Sequence, residues 1–265
     1  MPPAKKKRPR AYDPDKTRTA VLAQFDNVRK AVEALTPEQL AAPTRLGDWT
    51  VRELAAHITM ATSAVARGLA AAGSGKAELT PQDWPMTSAP YAQDVAEYVT
   101  GLAADNDLAT LYADAGQSLE RALADHPGDA LVANRTGQMT LADYMVTRTV
   151  ELTVHTDDLN DAVPGLDVPY DRQALAACTR VLADALATKA PGASTEVRIP
   201  PYAVVQCVEG PRHTRGTPPN VVETDPLTWI RLATGRTTWS AAVEDALVSA
   251  SGERADLAGL LPIMA

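Results

Sequence analysis

The chain has 265 residues, of which 45% are hydrophobic and 22% charged, a composition typical of a globular protein that can bury a core. Its formal net charge is −8, and because the first ten residues carry five basic side chains and no acid, the remainder carries −13. An acidic surface of this kind argues against nucleic acid as the main partner, since phosphate binding requires a basic surface. No stretch approaches the ~18 consecutive apolar residues of a membrane span.

The N-terminal segment, residues 1–14, is predicted to be a disordered basic leader. The run MPPAKKKRPR contains three prolines and no apolar periodicity. It also lacks the apolar core of a secretory signal. The two cysteines, Cys178 and Cys207, are isolated in the sequence, unlike those of a disulfide framework or a zinc ribbon. These features favour a cytoplasmic protein and leave the oligomeric state open.

Residues 15–163 have the periodicity of a helix bundle. The first long helix follows the leader, with apolar residues three and four positions apart from Val21 to Leu35. A second long helix is predicted to begin at Thr50, where Glu53 completes a capping-box pattern. It is predicted to end at the glycine-rich segment GSG.

The second half of this region continues the helical pattern. Residues 91–125 are predicted to form one long helix or two, ended by the segment DHPGD. Another helix is predicted to begin at an N-cap, Thr140, and to end near Asn160. Four or so long helices joined by loops predict a four-helix bundle.

The pattern changes after the Pro-Gly break at residues 164 and 165, and residues 164–265 are predicted to form a small α+β domain. A helix from Asp171 to about Lys189 precedes two strands separated by two prolines and a third strand, VVET. Asp225 is the predicted N-cap of a further helix. A short helix, a strand and a terminal helix over RADLAGLLPIM complete the predicted domain.

The helix that begins at Thr140 carries Glu151 and His155 four residues apart, so both side chains project from one face, about 5–6 Å apart at Cβ. That spacing suits two ligands of one metal ion, and it also suits an exposed ion pair. The apolar residues of this helix form two arcs, with Glu151, His155 and Arg148 in a polar strip beside one of them. A helix covered on two arcs is expected to be largely buried, and buried polar groups of this kind need partners.

His57 is the candidate third ligand. It lies at the edge of the buried arc of the helix that begins WTVRELAAH, so it can face a neighbouring helix. Taken alone, a histidine at such a border is more often hydrogen-bonded in the core or half exposed than bound to metal. Arg148 is the candidate catalytic residue. It is expected to pair with Glu151 or to bind a substrate carboxylate, with an ordinary surface charge as the alternative.

The motifs LGDWTVRELAAHI and RTVELTVHTDDL resemble those of the mycothiol-dependent maleylpyruvate isomerase family. The resemblance covers roughly residues 15–163. It implies a DinB-like metal-binding four-helix bundle in which His57, Glu151 and His155 bind a divalent metal ion, usually zinc. The segment ETDPLTWIRLATGR in the C-terminal part resembles the sterol-carrier-like domain that follows this bundle in many actinobacterial proteins.

Two imidazoles and one carboxylate form the open type of zinc site, which leaves a coordination position for a further ligand. A thiol in that position loses its proton, and the resemblance implies that this thiol is mycothiol. In the isomerases the thiolate adds to a carbon–carbon double bond, the bond rotates and the thiol leaves. The expected protein is therefore an isomerase or a thiol S-transferase that acts on a small electrophile or unsaturated acid.

Two other functions remain open at this point. One is a non-catalytic lipid or small-ligand binding protein in which the sterol-carrier-like domain is the functional part. The other is metal-dependent hydrolysis, with water as the activated nucleophile. The chain has no arginine from Gly68 to Glu120 that matches a substrate-binding arginine of the isomerases, so maleylpyruvate itself does not follow as the substrate.

Overall fold

The computed structural model describes residues 10–87, 89–210 and 219–264. These residues form nine α-helices, a two-stranded antiparallel sheet, a four-stranded mixed sheet and three short 3₁₀ turns. The helices are α1 Pro14–Glu33, α2 Pro37–Leu40, α3 Val51–Ala71, α4 Ala92–Asp105, α5 Leu108–Asp125, α6 Leu141–Ala162, α7 Arg172–Lys189, α8 Pro226–Ala233 and α9 Trp239–Glu244. The strands are β1 Leu131–Asn134, β2 Gly137–Thr140, β3 Thr195–Ile199, β4 Ala203–Cys207, β5 Val221–Thr224 and β6 Val248–Ser251.

A bundle of four long helices, α1, α3, α5 and α6, forms the N-terminal part, as the sequence predicted. Helix α3 packs against α5 and α6, and α1 packs against α6 and α5. The capping residues predicted for two of these helices are confirmed: Glu53 accepts a hydrogen bond from the backbone N–H of Thr50, and Thr140 caps α6. Helix α6 is buried along most of its length, which confirms the prediction made from its two apolar arcs.

The structure decides one alternative that the sequence left open in the bundle, and it adds one element that the sequence did not predict. The segment 91–125 is two helices, because the chain leaves helical geometry at Asn106 and Asp107 caps α5. A β-hairpin of β1 and β2 was not predicted. Its strands are only four residues each, too short to show a clear alternation of apolar and polar residues. Helix α6 starts directly after β2, so the hairpin is held beside the bundle.

The C-terminal part is built on a four-stranded sheet with the order β4-β3-β5-β6. Strands β3 and β5 are parallel, and the outer pairs are antiparallel. Helix α7 contacts β4 and α8 as well as α1 and α6, so it connects the sheet to the bundle. The predicted terminal helix is wrong: the chain forms only a 3₁₀ turn at Ala258–Leu260 before Pro262, which cannot donate a helical hydrogen bond.

The predicted leader falls partly outside the described residues, which begin at Arg10. Arg10 forms an ion pair with Asp184 of α7, and Asp13 caps α1. One continuous hydrophobic cluster contains side chains of both the bundle and the C-terminal part. The parts on either side of residue 163 therefore share a core, and the domain boundary there stays a prediction. None of the described helices is long and apolar enough to cross a membrane.

Candidate metal centre

The three predicted ligands meet at one point between α3 and α6. The Nε2 atom of His57 lies 3.4 Å from Oε2 of Glu151, and the Nε2 atom of His155 lies 3.3 Å from the same oxygen. The two imidazole rings are 4.6 Å apart and nearly perpendicular. One ligand atom from each residue lies within 4.8 Å of the others, so the three side chains can hold a metal ion.

Helix geometry explains this convergence. Glu151 and His155 are one turn apart on α6, and the packing of α3 against α6 brings His57 to the same face. Trp49, just before α3, lies against His57 with ring centroids 5.1 Å apart. Both histidines are more than nine-tenths buried, so the contacts among the three side chains are largely shielded from water.

The charges in the cluster depend on one another. Burial alone would raise the pKa of Glu151, but hydrogen bonds from His155 and His57 and the charge of Arg148 hold it well below its ordinary value. Burial lowers the pKa of His57, which favours the neutral imidazole. Burial also works against charge on His155, yet the carboxylates of Asp158 and Glu151 raise its pKa. The carboxylate is thus held as an anion and His57 as a neutral base.

These atoms fit a zinc-like ion. Two ligand atoms of a tetrahedral zinc site, with bonds of about 2.0–2.1 Å, lie about 3.3–3.4 Å apart, as the two Nε2 atoms here lie from Oε2 of Glu151. The Nδ1 atom of His155 bonds to Oδ2 of Asp158 at 2.9 Å, which turns Nε2 toward the carboxylate. When the His155 ring is neutral with its proton on Nδ1, the lone pair of Nε2 faces Oε2 of Glu151, which is also an acceptor. A cation bound between these two acceptors would stabilise the arrangement. Among the described residues the cluster contributes three donors, which is the open type of site.

Two aspartates of α6, Asp157 and Asp158, form an ion-pair network behind the cluster. Asp158 accepts hydrogen bonds from Arg45 at 2.7 Å and from Arg236 at 2.9 Å, in addition to its bond with His155. Asp157 is paired with Arg231 of α8, whose Nη2 lies 2.6 Å away, and with Arg45. Burial opposes the charge on Asp158, but His155 and Arg236 hold its pKa far below the ordinary value.

This network was not predicted from the sequence. Its only signal in the sequence is the pair of acids that follows Thr156 in the motif HTDD, and nothing in that motif indicates that the acids are buried. The arginine partners are distant in sequence and lie in a loop, in α8 and in the turn after α8. Two of the three therefore come from the C-terminal part, which contributes to the surroundings of the candidate metal centre.

Arg148 is buried in α6, which rules out the alternative of a surface charge. Its Nη1 donates to the backbone oxygen of Ala61 at 2.9 Å, and its Nε and Nη2 donate to Oγ1 of Thr147 at 3.2 and 3.1 Å. The guanidinium lies 4.5 Å from the ring centre of Tyr144 and 3.8 Å from Oε1 of Glu151. Arg148 is thus fixed beside the carboxylate that joins the two histidines.

Two open chambers meet at Glu151. The first, which we call the hairpin chamber, has a volume of about 690 Å³ and is lined by α3, α4, the hairpin turn, Arg148 and Glu151. The second, the junction chamber, has a volume of about 670 Å³ and is lined by His57 and His155, by the segment Leu46–Trp49, by α4 and by Arg236 and Met264 of the C-terminal part. Tyr91 and Val95 line both chambers. The centre is therefore reachable from two sides.

Comparison with known proteins identifies chains of similar fold and sequence pattern. Residues 171–263 match the family model described as bacterial SCP ortholog. Two crystal structures, one of the mycothiol-dependent maleylpyruvate isomerase and one of its histidine-to-alanine mutant, share the fold with TM-scores of 0.59 and 0.58. Their sequences are 15% and 14% identical to this one, and each alignment covers 92% of this chain and 95% of the other.

No curated protein sequence matches the chain significantly. Residues 21–160, more than half of the chain, match the family model for the mycothiol maleylpyruvate isomerase N-terminal domain. They include His57, Glu151 and His155, the three side chains that converge in the structure. The chain belongs to the mycothiol maleylpyruvate isomerase N-terminal domain family.

Proposed function

We propose that this protein is a metal-dependent enzyme that uses mycothiol, either as an isomerase or as a thiol S-transferase. The observation that carries the proposal is the position of two imidazole Nε2 atoms, 3.4 and 3.3 Å from one carboxylate oxygen, where two open chambers meet. Family membership supports a mycothiol-using enzyme. The substrate is an electrophile, such as an unsaturated acid.

In this proposal His57, Glu151 and His155 hold the ion, which we take to be zinc. When bound, zinc lowers the pKa of a thiol that coordinates it, so that the thiol is a thiolate at neutral pH. Glu151 contributes the one negative charge among the three ligands, and Asp158 keeps Nε2 of His155 directed at the centre. The largely buried histidines limit access of water to this point.

Arg148 had two expected roles, and its contacts favour one of them. The donors of its guanidinium already bond to Ala61 and Thr147, and its Nη2 lies 3.8 Å from Glu151. We therefore propose that it stabilises the charged carboxylate and fixes its direction. Its place in the wall of the hairpin chamber also allows it to contact the bound electrophile.

The nucleophilic thiol must be external. Cys178 is completely buried in α7, and Cys207 is buried in β4. Burial raises the pKa of Cys207 to about 11 and also raises that of Cys178, so neither is a thiolate at neutral pH. Neither cysteine lines either chamber.

The test combines metal content with a spectroscopic probe. The purified protein is expected to hold about one equivalent of zinc, as a three-ligand site does. His57→Ala and His155→Ala should lose it, and His126→Ala, a change at an exposed histidine, should retain it. In the cobalt-substituted protein, mycothiol should shift the visible spectrum, and thiol addition to an unsaturated carboxylate should require the metal.

Other outcomes contradict the proposal in different ways. Full metal content in His57→Ala would show that the three-ligand centre is wrong. A cobalt spectrum unchanged by mycothiol would exclude thiol coordination. If the protein instead bound fatty acyl chains with no metal requirement and no reaction, the chain would be a carrier, and the C-terminal part would be its functional region.

A further inference from the structure

The hairpin chamber has an apolar body and a cationic rim. Most of its described lining is apolar or aromatic and includes Met60, Val95 and Tyr98, of which Tyr98 is 53% exposed. Two arginines, Arg67 and Arg135, also line it, and both are exposed. Because Glu151 and Arg148 are largely buried, the chamber runs from a basic, solvent-exposed side to the candidate metal centre.

A close approach of two backbones places Arg135 at this chamber. A Cβ atom on Gly68 of α3 would lie 2.5 Å from the backbone oxygen of Ala133 and 2.5 Å from Cγ1 of Val132, so the hairpin packs on α3 only because residue 68 is glycine. Arg135 lies in the turn of that hairpin, and it lines the same chamber as Arg67. The unpredicted hairpin therefore carries a cation to the rim.

The contacts of the hairpin turn keep it in place. Asn134 accepts hydrogen bonds from the backbone N–H of Thr136 at 2.8 Å and from its hydroxyl at 2.6 Å. Tyr91, before α4, donates to the backbone oxygen of Arg135 at 3.2 Å, and the Arg135 guanidinium lies 5.6 Å from the centre of the Tyr91 ring. The backbone of Arg135 is thus fixed while its side chain remains exposed.

The present partners of the two guanidinium groups leave them able to bind an anion. Arg135 pairs with Asp94 at 3.1 Å, and both side chains are more than half exposed. Exposed pairs contribute little to stability, so a ligand carboxylate can replace Asp94. Arg67 donates through Nη2 to the backbone oxygen of Met60 at 3.0 Å, and the structure records no carboxylate within ion-pair distance among the described residues.

The junction chamber has the opposite character. Its lining includes four acids, Asp48, Glu53, Glu97 and Glu151, against one arginine, Arg236. An anionic ligand is therefore disfavoured there and favoured in the hairpin chamber. The difference in charge assigns the two chambers to two different ligands.

We propose that the hairpin chamber binds the electrophilic cosubstrate, and that this cosubstrate is a carboxylate with an extended apolar body. Its carboxylate binds Arg67 and Arg135, its apolar body lies along α3 and α4, and its reactive end reaches Glu151. The junction chamber, which both histidines line, is left for the thiol. This inference rests on the proposed function, because it names the substrate class and binding site of that reaction.

The test uses three unreactive probes with the zinc-loaded full chain. Decanoate has both the apolar body and the carboxylate, decan-1-ol has only the body, and succinate has only the charge. Calorimetric titration should show that decanoate binds more tightly than either of the other two. The double variant Arg67→Gln with Arg135→Gln should weaken decanoate about tenfold, as expected for two exposed charge-assisted contacts, and should leave decan-1-ol unchanged.

The matched control is Arg121→Gln, because Arg121 is also an exposed helical arginine but lines neither chamber. It should bind decanoate as the unmodified chain does. Equal decanoate affinity in the double variant would overturn the proposal, since binding would then lie elsewhere, for example in the C-terminal part. Tighter binding of succinate than of decanoate would overturn the apolar substrate class.

Two further results separate this inference from the proposed function. His57→Ala removes a ligand of the centre but no wall of the hairpin chamber, so it should keep arginine-dependent decanoate binding. If that binding persists while no variant or wild-type protein reacts with mycothiol, the chamber assignment stands and the proposed function fails. The opposite result is a mycothiol-dependent reaction in which the double variant matches the unmodified chain in both decanoate affinity and reaction rate. In that case the chamber assignment fails and the proposed function stands.

Discussion

Replacement of Asp158 by asparagine tests the metal centre through a residue that is not one of its proposed ligands. Asp158 has no exposed side-chain surface and bonds to His155, Arg45 and Arg236. Asparagine keeps the shape of the side chain but removes its charge and one acceptor. If the oxygen of the asparagine side chain accepts the bond from His155, its amide nitrogen faces an arginine. Two hydrogen-bond donors, the amide and the guanidinium, then lie against each other. The substitution therefore disturbs either the direction of His155 or the arginine pairs.

Asp158→Asn is expected to lower both the affinity for metal and the free energy of unfolding. Loss of the carboxylate partner of a metal-binding histidine lowers metal affinity by about 10–100-fold. Breaking a buried ion pair costs about 3–5 kcal/mol when the remaining charge has no water. Here Arg45 and Arg236 keep 22% and 15% of their side-chain surface exposed, so solvent relieves part of that loss. We expect the free energy of unfolding to fall by about 2–3 kcal/mol.

The assay is zinc competition with a chromophoric chelator, together with urea unfolding of the metal-free protein. Asp161→Asn is the matched control, because Asp161 is one turn further along α6, is 51% exposed and lies 3.5 Å from Arg45. It should change zinc affinity little and stability by less than about 1 kcal/mol. If Asp158→Asn bound zinc as tightly as Asp161→Asn does, His155 would not depend on Asp158, and the proposed orientation of the ring would be wrong.

Three further substitutions or reactions probe other parts of the structure. Arg148→Met should lower the free energy of unfolding by about 2–4 kcal/mol, because it removes the guanidinium beside the Glu151 carboxylate. The control Arg121→Met should change it by less than about 0.5 kcal/mol, and urea titration measures both. Gly68→Ala should lower stability by about 1–3 kcal/mol because of its contact with the hairpin, whereas Gly101→Ala, with open space around it in α4, should raise it by about 0.5–1 kcal/mol. The two cysteines should resist iodoacetamide at pH 8 in the folded protein and react once it unfolds, since burial raises the pKa of Cys207 to about 11.

Each of these expectations has a contradicting result. Unchanged stability of Arg148→Met would show that Arg148 does not stabilise the charged carboxylate of Glu151. A Gly68→Ala protein as stable as the Gly101→Ala protein would show that the hairpin is free to move away from α3. Rapid labelling of either cysteine in the folded state, detected by mass spectrometry, would make a protein thiol available as a nucleophile.

The sequence predicted the parts of the structure that depend on local periodicity. The caps at Thr50 and Thr140 are short-range patterns, and each depends on side chain and backbone atoms within three residues. The pairing of Glu151 with His155 follows from the helical turn. The position of His57 beside them depends on the packing of α3 against α6, which local periodicity does not predict. The helical wheel showed only that His57 can face a neighbouring helix, and its role as the third ligand was implied by the family resemblance.

The missed features depend on contacts between distant segments. The hairpin has strands of four residues, and its stability comes from packing on Gly68 rather than from the pattern of its own side chains. The ion pairs of Asp157 and Asp158 join residues more than seventy positions apart. A charged residue in a sequence is expected to be exposed, and only its partners in the folded structure show why it is buried.

The arrangement of these partners links the C-terminal part to the chemistry of the bundle. Asp157 and Asp158 are buried carboxylates and would be strongly destabilising without cations near them. Arg45 of the bundle contacts both, and Arg231 and Arg236 each supply a further bond. Since Asp158 also orients His155, the two arginines after β5 help to fix a ligand of the proposed centre. The C-terminal part therefore has a structural role at the candidate site that does not require it to carry a lipid.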